Sequence, residues 1–369
     1  VWEIDGLDAD DDGAIDVDLP VLGADPIHKD IFVEVDYMVD SEDDFSHQPE
    51  ADAIAEIVDA FDNAPVSNPD ATTGIHLHVD YGAAAPLTWG AAAEWGTMSD
   101  GDAVSFERFI STCDGAGNFD WSGFDSIKTA NFDAARQTVF HYNVWGNSLC
   151  SEKRTTSGIS RGIPTSDFIV SLGEWSTRGG TQDQQAGTFM HELGHNLGLR
   201  HGGSNNRNYK PNYLSVMSYA FQTQGLLVDG ATGYFDYSRS ALPRLVETSF
   251  NEPAGIRIPA AETRTLGTRY YCGDTLQNDF DADAVDWNCD GDQTDIGISR
   301  DINDSGTSTM LDSYDDWANL VFDGGRLGLG GETIILPVQT RVEEFDVAES
   351  QRLPQPPPNL IYIPLAINE

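Results

Sequence analysis

Residues 191–203 read HELGHNLGLRHGG, three histidines and a glutamate inside one short run. On an α-helix His191 and His195 stand four residues apart and project from one face, so both imidazoles can reach a single metal ion. Glu192 lies one step round the helix, placed to hold a water at the metal rather than to ligate it. Gly198 follows three residues after the second histidine. Lacking a Cβ, it can take a left-handed conformation, end the helix and turn the chain sharply. That turn can carry His201 back to the same ion. Three neutral imidazoles leave a fourth position for water, the arrangement of catalytic rather than structural zinc. An HExxH arises by chance on many helices; HExxHxxGxxH is far more demanding.

The full motif resembles that of the metzincin clan of zinc peptidases. The resemblance implies a zincin-like α+β fold, with a twisted mixed sheet above a cleft, an active-site helix below it and a Met-containing turn beneath the zinc. Ser215-Val216-Met217-Ser218-Tyr219 fits that turn, Met217 then being an apolar base under the histidines and no ligand. Tyr219 resembles the tyrosine that astacins and serralysins place near the metal, where it stabilises the oxyanion. Gly202, directly after the third histidine, differs from the residue usual in astacins, serralysins, adamalysins and matrixins. The resemblance therefore reaches the clan and assigns no family within it. The activity it implies is hydrolysis of peptide bonds in proteins or peptides. Zinc would lower the pKa of water towards about 7, with Glu192 as general base delivering the proton to the leaving amine. Tyr219 would help to hold the oxyanion.

Composition narrows the setting. Sixty-one acidic against 20 basic residues give a formal charge of −41, a surface that repels nucleic acid and anionic lipid. Lysine occurs only at 29, 128, 153 and 210; calcium loading or a saline habitat would each explain such a balance. No apolar run approaches membrane-spanning length. The chain opens on Val1-Trp2-Glu3, as expected of an internal fragment or a processed form. Cys113, Cys150, Cys272 and Cys289 make no CxxC pair. In a secreted chain they suggest two disulfides, Cys113–Cys150 with Cys272–Cys289 being the economical pairing of the three possible. A monomeric, extracellular peptidase is the expectation.

Outward from the motif, Asp30 to Met38, Gly74 to Val79, Gln137 to Val144 and Phe168 to Leu172 read as strands, and Pro49 through Phe61 and Thr181 to Gly198 as helices. That order suggests an α+β domain with a twisted sheet over helices. Further helices are expected over 238–250 and 311–322. His76 and His78 share a strand face and could bind a second metal, although they read first as polar positions opposite Ile75, Leu77 and Val79. Asp8, Asp10 and Asp12 with Gly13 reproduce the first half of an EF-hand-like calcium loop. Asp286, Asn288 and Asp290 with Gly291 form a second half-loop. Asp301, Asn303 and Ser305 form a third, completed by Asp312 at its twelfth position. Four segments follow: an acidic region with a calcium loop (1–28), a catalytic domain (29–260), an acidic calcium-binding extension (261–335) and a linker or tail (336–369). The competing reading is a calcium-dependent adhesion or matrix-binding protein built on an inactive or latent peptidase scaffold. The intact Glu192 and three histidines favour the enzyme.

Overall fold

Asp30–Asp40 (β1) alternates apolar and polar side chains, yet both of its faces are buried. The reason is its place in the fold. In this computed structural model, which describes residues 2–322 and 344–354, β1 is central to a seven-stranded mixed sheet. Phe45–Ser46 (β2) folds back antiparallel on its end, while His76–Asp80 (β3), Ala103–Ser105 (β4) and Phe140–Trp145 (β5) pair with it in parallel. Beyond β5 the sheet finishes with Gly158–Ser160 (β6) and Asp167–Val170 (β7). β7 is parallel to β5, and β6 is the antiparallel outermost strand. Two acids on the polar positions of β1, Glu34 and Asp36, find partners inside the fold. Glu34 and Asp80 share Arg136 at 2.7 and 2.8 Å, and Asp36 accepts from the Tyr142 hydroxyl at 2.5 Å. A buried guanidinium between two carboxylates keeps otherwise costly charges paired.

Ala51–Asp62 (α1) buries Ala53, Ile54, Ile57, Ala60 and Phe61 against the sheet. Ser122–Asn131 (α2) covers the second, smaller core cluster through Phe124. Gln182–Asn196 (α3) begins at a capping box, Thr181 and Gln184 each satisfying the other's backbone amide, and is buried from Gln185 to Asn196. It packs on α1, β6 and β7. One continuous core cluster extends from Leu7 to Leu353. Disulfides join Cys113 to Cys150 and Cys272 to Cys289. Among the described residues no helix is long and apolar enough to cross a membrane.

Two local expectations fail. Residues 238–250 form no helix and hold only the short strands Leu245–Val246 and the start of Phe250–Asn251; Pro243 and the pull of two separate β-pairings prevent one. Residues 311–322 give a strand end and a single 3₁₀ turn, Trp317–Asn319, because the apolar side chains serve as separate anchors. Trp317 donates its indole N–H to Asp236 at 2.9 Å, while buried Asp316 accepts from Tyr213 at 2.9 Å. His76 and His78 meet at Asp30, His78 bonding it at 2.7 Å and stacking on Phe32 at 4.2 Å, and the three side chains form a group that could hold a metal ion. The glycine-rich stretch 323–331 and the apolar stretch 360–366 lie outside the described residues, as does the proline-rich run from residue 355 onward.

Candidate metal centre

The helix α3 carries His191, Glu192 and His195, all fully buried. It stops where the sequence says it should. Gly198 has φ +93°, and the amides of Gly198 and Leu199 bond back to His195 and Gly194 at 3.0 and 2.9 Å. The reversal returns His201 to the same point. His195 Nε2 lies 3.1 Å from both His191 Nε2 and His201 Nε2. The Nδ1 atoms of His191 and His195 face the carbonyls of Val216 and Leu199 at 2.9 and 2.8 Å. A carbonyl only accepts, so each Nδ1 carries the hydrogen and each Nε2 presents a lone pair. Burial pushes the His195 pKa down to about 4 and those of His191 and His201 well down, holding all three neutral.

Lone pairs at that separation repel unless a cation lies between them. Two nitrogens about 2.05 Å from a tetrahedral zinc stand about 3.3 Å apart, close to what is found here. Three imidazoles, each able to offer an unprotonated nitrogen to one point, are a zinc-type donor set.

Glu192 sits beside them with no side-chain hydrogen bond to its carboxylate among the described residues. Burial and the neighbouring Glu344 charge push its carboxyl well above the usual range, the Ser160 amide opposing. Edge strand β6 lies directly over it: a Cβ at Gly158 would fall 2.8 Å from Glu192 Cγ and 2.5 Å from the Ile169 carbonyl. Only glycine lets the strand come this close. Gly158-Ile-Ser160-Arg-Gly162 also spells GxSxG, but Ser160 sits in flat β6. Its hydroxyl bonds Asn196 Oδ1 and the Gly162 carbonyl at 2.8 and 2.9 Å, with no histidine partner among the described residues. No serine nucleophile is built there.

Beneath the histidines, Met217 is fully buried. A Cβ on Gly194 would lie 2.3 Å from its Sδ, and one on Gly187, two turns earlier, 1.6 Å from the Gln222 carbonyl. Two glycines on one helical stripe thus let segment 217–222 press against α3. Tyr219 reaches the same centre, its ring 4.5 Å from that of His201. Its amide bonds Asn208 Oδ1 at 2.8 Å. Burial, then the Glu344 and Glu192 charges, hold its phenol well above the usual range, so it keeps its proton.

Several residues here carried no recognised sequence signal. Lys210 is buried, its ammonium bonding the carbonyls of Gly202 and Asp312 at 2.7 and 2.5 Å, and burial lowers its pKa to about 8. It braces the tight turn that holds His201. Gly202, the position that departs from the named families, is explained by the same turn: a Cβ would lie 2.4 Å from the Arg207 carbonyl. Glu344 is the other. One carboxylate oxygen stands 3.8 Å from His201 Nε2, and it groups with the three histidines as a fourth donor.

The acidic loops are only partly assembled as expected. Asp8 and Asp10 converge with Asp16, whereas exposed Asp12 accepts the Ala14 amide. In the second loop the converging carboxylates are Glu252, Asp292 and Asp295. Asp286 instead accepts the amides of Asp290 and Gly291, and Asn288 donates to Asp290 and Asp295. Asp301 accepts the Ser305 amide, with Asn303 buried beside it. Asp312 follows strand Met310–Leu311 and pairs with Arg244.

A family model described as metallo-peptidase family M12B, reprolysin-like, matches residues 136–202. The match runs from Arg136, just before β5, through β5, β6, β7 and α3 to one residue past the third histidine. No curated protein matches the chain.

Proposed function

We propose that this chain, a zinc metallopeptidase of the metzincin clan, is a secreted endopeptidase in which His191, His195 and His201 hold the zinc and Glu192 is the general base. One observation carries the reading: a carboxylate with no side-chain partner among the described residues, beside three neutral imidazoles whose lone pairs converge, all of it buried. Zinc held there supplies Lewis acidity and a water made acidic near neutral pH.

The remaining work falls to the chain. Glu192, which no other side chain engages among the described residues, takes the proton of the attacking water and delivers it to the leaving amine. Tyr219, kept protonated, donates a hydrogen bond to the developing oxyanion. Edge strand β6 offers its outer rim to an extended substrate, which suits attack within a chain. Met217 and Gly198 act by position, one under the histidines and one at the turn that returns His201. The two disulfides support an extracellular setting. The catalytic unit is assigned to 29–260, with structural calcium at Asp8, Asp10 and Asp16 and at Glu252, Asp292 and Asp295, where carboxylates converge.

The test is hydrolysis of a quenched fluorescent protein by the parent and by Glu192→Ala, with zinc content measured in both. The expected result is cleavage by the parent, and loss of at least about a hundredfold in the variant at unchanged zinc. Equal cleavage by both would remove Glu192 from the mechanism.

A further inference from the structure

The edge of β6 and the space beside the histidines are met by a distant part of the same chain. Ser157, just before β6, donates its amide to the Phe345 carbonyl at 2.8 Å. Thr156 and Asp346 form an antiparallel bridge. A segment pairing with a sheet edge in this way occupies the track that an extended peptide would use. Phe345 is buried, its ring between Trp175 at 6.2 Å and Tyr219 at 5.3 Å. Glu344, one residue earlier, then points into the centre. Its Oε2 makes no hydrogen bond among the described residues and lies 3.8 Å from His201 Nε2, and a carboxylate oxygen of Glu344 stands within 4.8 Å of a ring nitrogen of each histidine.

The residues that follow fasten the segment. Asp346 caps the short helix Val347–Arg352 (α4) by accepting the Glu349 amide at 3.0 Å. Glu349 accepts from the Tyr209 hydroxyl, and Leu353 is buried in the main core. The strand contact, the wedged ring and the anchored helix therefore place the carboxylate independently of any metal.

An unpartnered carboxylate against neutral imidazole lone pairs and against Glu192 is unfavourable by itself. A divalent cation at the histidines turns each of these repulsions into an attraction. We propose that residues 344–354 are a built-in occupant of the substrate track, with Glu344 as a fourth donor to the metal and Phe345 filling the adjoining apolar site. The chain as folded then works at a reduced rate, and withdrawal of the segment opens the centre fully. The same placement gives the substrate class: an extended peptide antiparallel to 156–157, with an aromatic or large apolar side chain between Trp175 and Tyr219. This rests on the peptidase reading for its functional meaning and on the segment's own contacts for its geometry.

The test uses the full chain, the variants Glu344→Ala and Phe345→Ala, and three readouts. These are the visible spectrum of the cobalt-substituted protein, the rate of zinc loss to excess chelator, and the affinity for acetohydroxamate. Hydrolysis of a quenched peptide is followed in parallel. Glu344→Ala should change the cobalt spectrum, lose zinc about tenfold faster or more, bind hydroxamate more tightly and cleave faster than the parent. Phe345→Ala keeps the carboxylate but removes the wedge. It should move hydroxamate affinity and cleavage the same way, and it serves where the first variant misfolds. Identical spectra and hydroxamate affinities in all three forms would overturn the plug, whatever hydrolysis does. If these readouts shift while no form cleaves, the plug stands and the peptidase reading falls.

Discussion

Substituting Gly194 by alanine adds one methyl group at the closest point between the zinc helix and the Met-containing turn. The new Cβ would lie 2.3 Å from Met217 Sδ and 3.0 Å from the Tyr237 hydroxyl. Neither neighbour has room to retreat: both are fully buried, and Tyr237 is tied to the Met190 carbonyl at 2.5 Å. Overpacking of this kind costs about 1–3 kcal/mol, and a contact this short belongs at the upper end. Replacing glycine inside a helix returns about 1 kcal/mol. The net expectation is a loss of about 2 kcal/mol. Met217→Ala alone should cost about 2–5 kcal/mol through the cavity it leaves. In that background the worst clash is gone, so Gly194→Ala should become nearly neutral. The coupling between the two sites is then about 2 kcal/mol, within the range seen for residues in contact. Urea unfolding of the four zinc-loaded forms, compared at matched m values, measures it. Additive effects, with a coupling under about 0.5 kcal/mol, would refute the claim that this glycine exists to admit the methionine.

Three further outcomes follow from other parts of the molecule. Lys210→Met keeps the volume behind the His201 turn but removes the bonds to the Gly202 and Asp312 carbonyls. Zinc affinity should fall about tenfold with the fold intact, and an unchanged affinity in a chelator competition would free Lys210 from that role. His141 is fully buried, accepts from Asn196 at 3.2 Å, and is pushed down to about 4 by burial. The unfolded imidazole titrates near about 6.5, so the unfolded chain takes up a proton that the folded one refuses. Its stabilising share is complete above that pH and is lost as the pH falls towards about 4, at up to about 1.4 kcal/mol per pH unit. Urea midpoints of parent and His141→Asn at pH 7.5 and 5.5 isolate this; the parent should lose more, and parallel losses would count against it. Calcium restored to chelator-treated protein, with zinc held constant, should raise the melting temperature, an effect that Asp10→Ala and Asp295→Ala each reduce. A melting temperature indifferent to calcium would leave the acidic loops as hydrogen-bonded turns.

What could be read from the sequence was whatever lies within a helical turn or two of its partners. His191, Glu192, His195, Gly198 and His201 are fixed relative to one another by helix geometry and one left-handed turn, so their spacing alone implies the centre. The alternation in 30–40 likewise implies a strand. It could not show that the polar face of β1 is also buried, since that depends on Arg136 arriving between Glu34 and Asp80. The expected helix over 238–250 failed because its apolar residues answer to different partners, Leu245 to Leu311 and Phe250 to Ile298. Gly158, Gly187 and Gly194 looked unremarkable because a glycine's reason lies in the atom that would collide with its Cβ, and that atom comes from another element. Glu344 is the extreme case. Nothing in its neighbours marks it as a metal donor, and its meaning arises only once Ser157 has taken the Phe345 carbonyl and the ring has lodged against Trp175 and Tyr219. A sequence motif records the ligands that one helix can gather; a donor brought by a separate strand contact is recorded only in the fold.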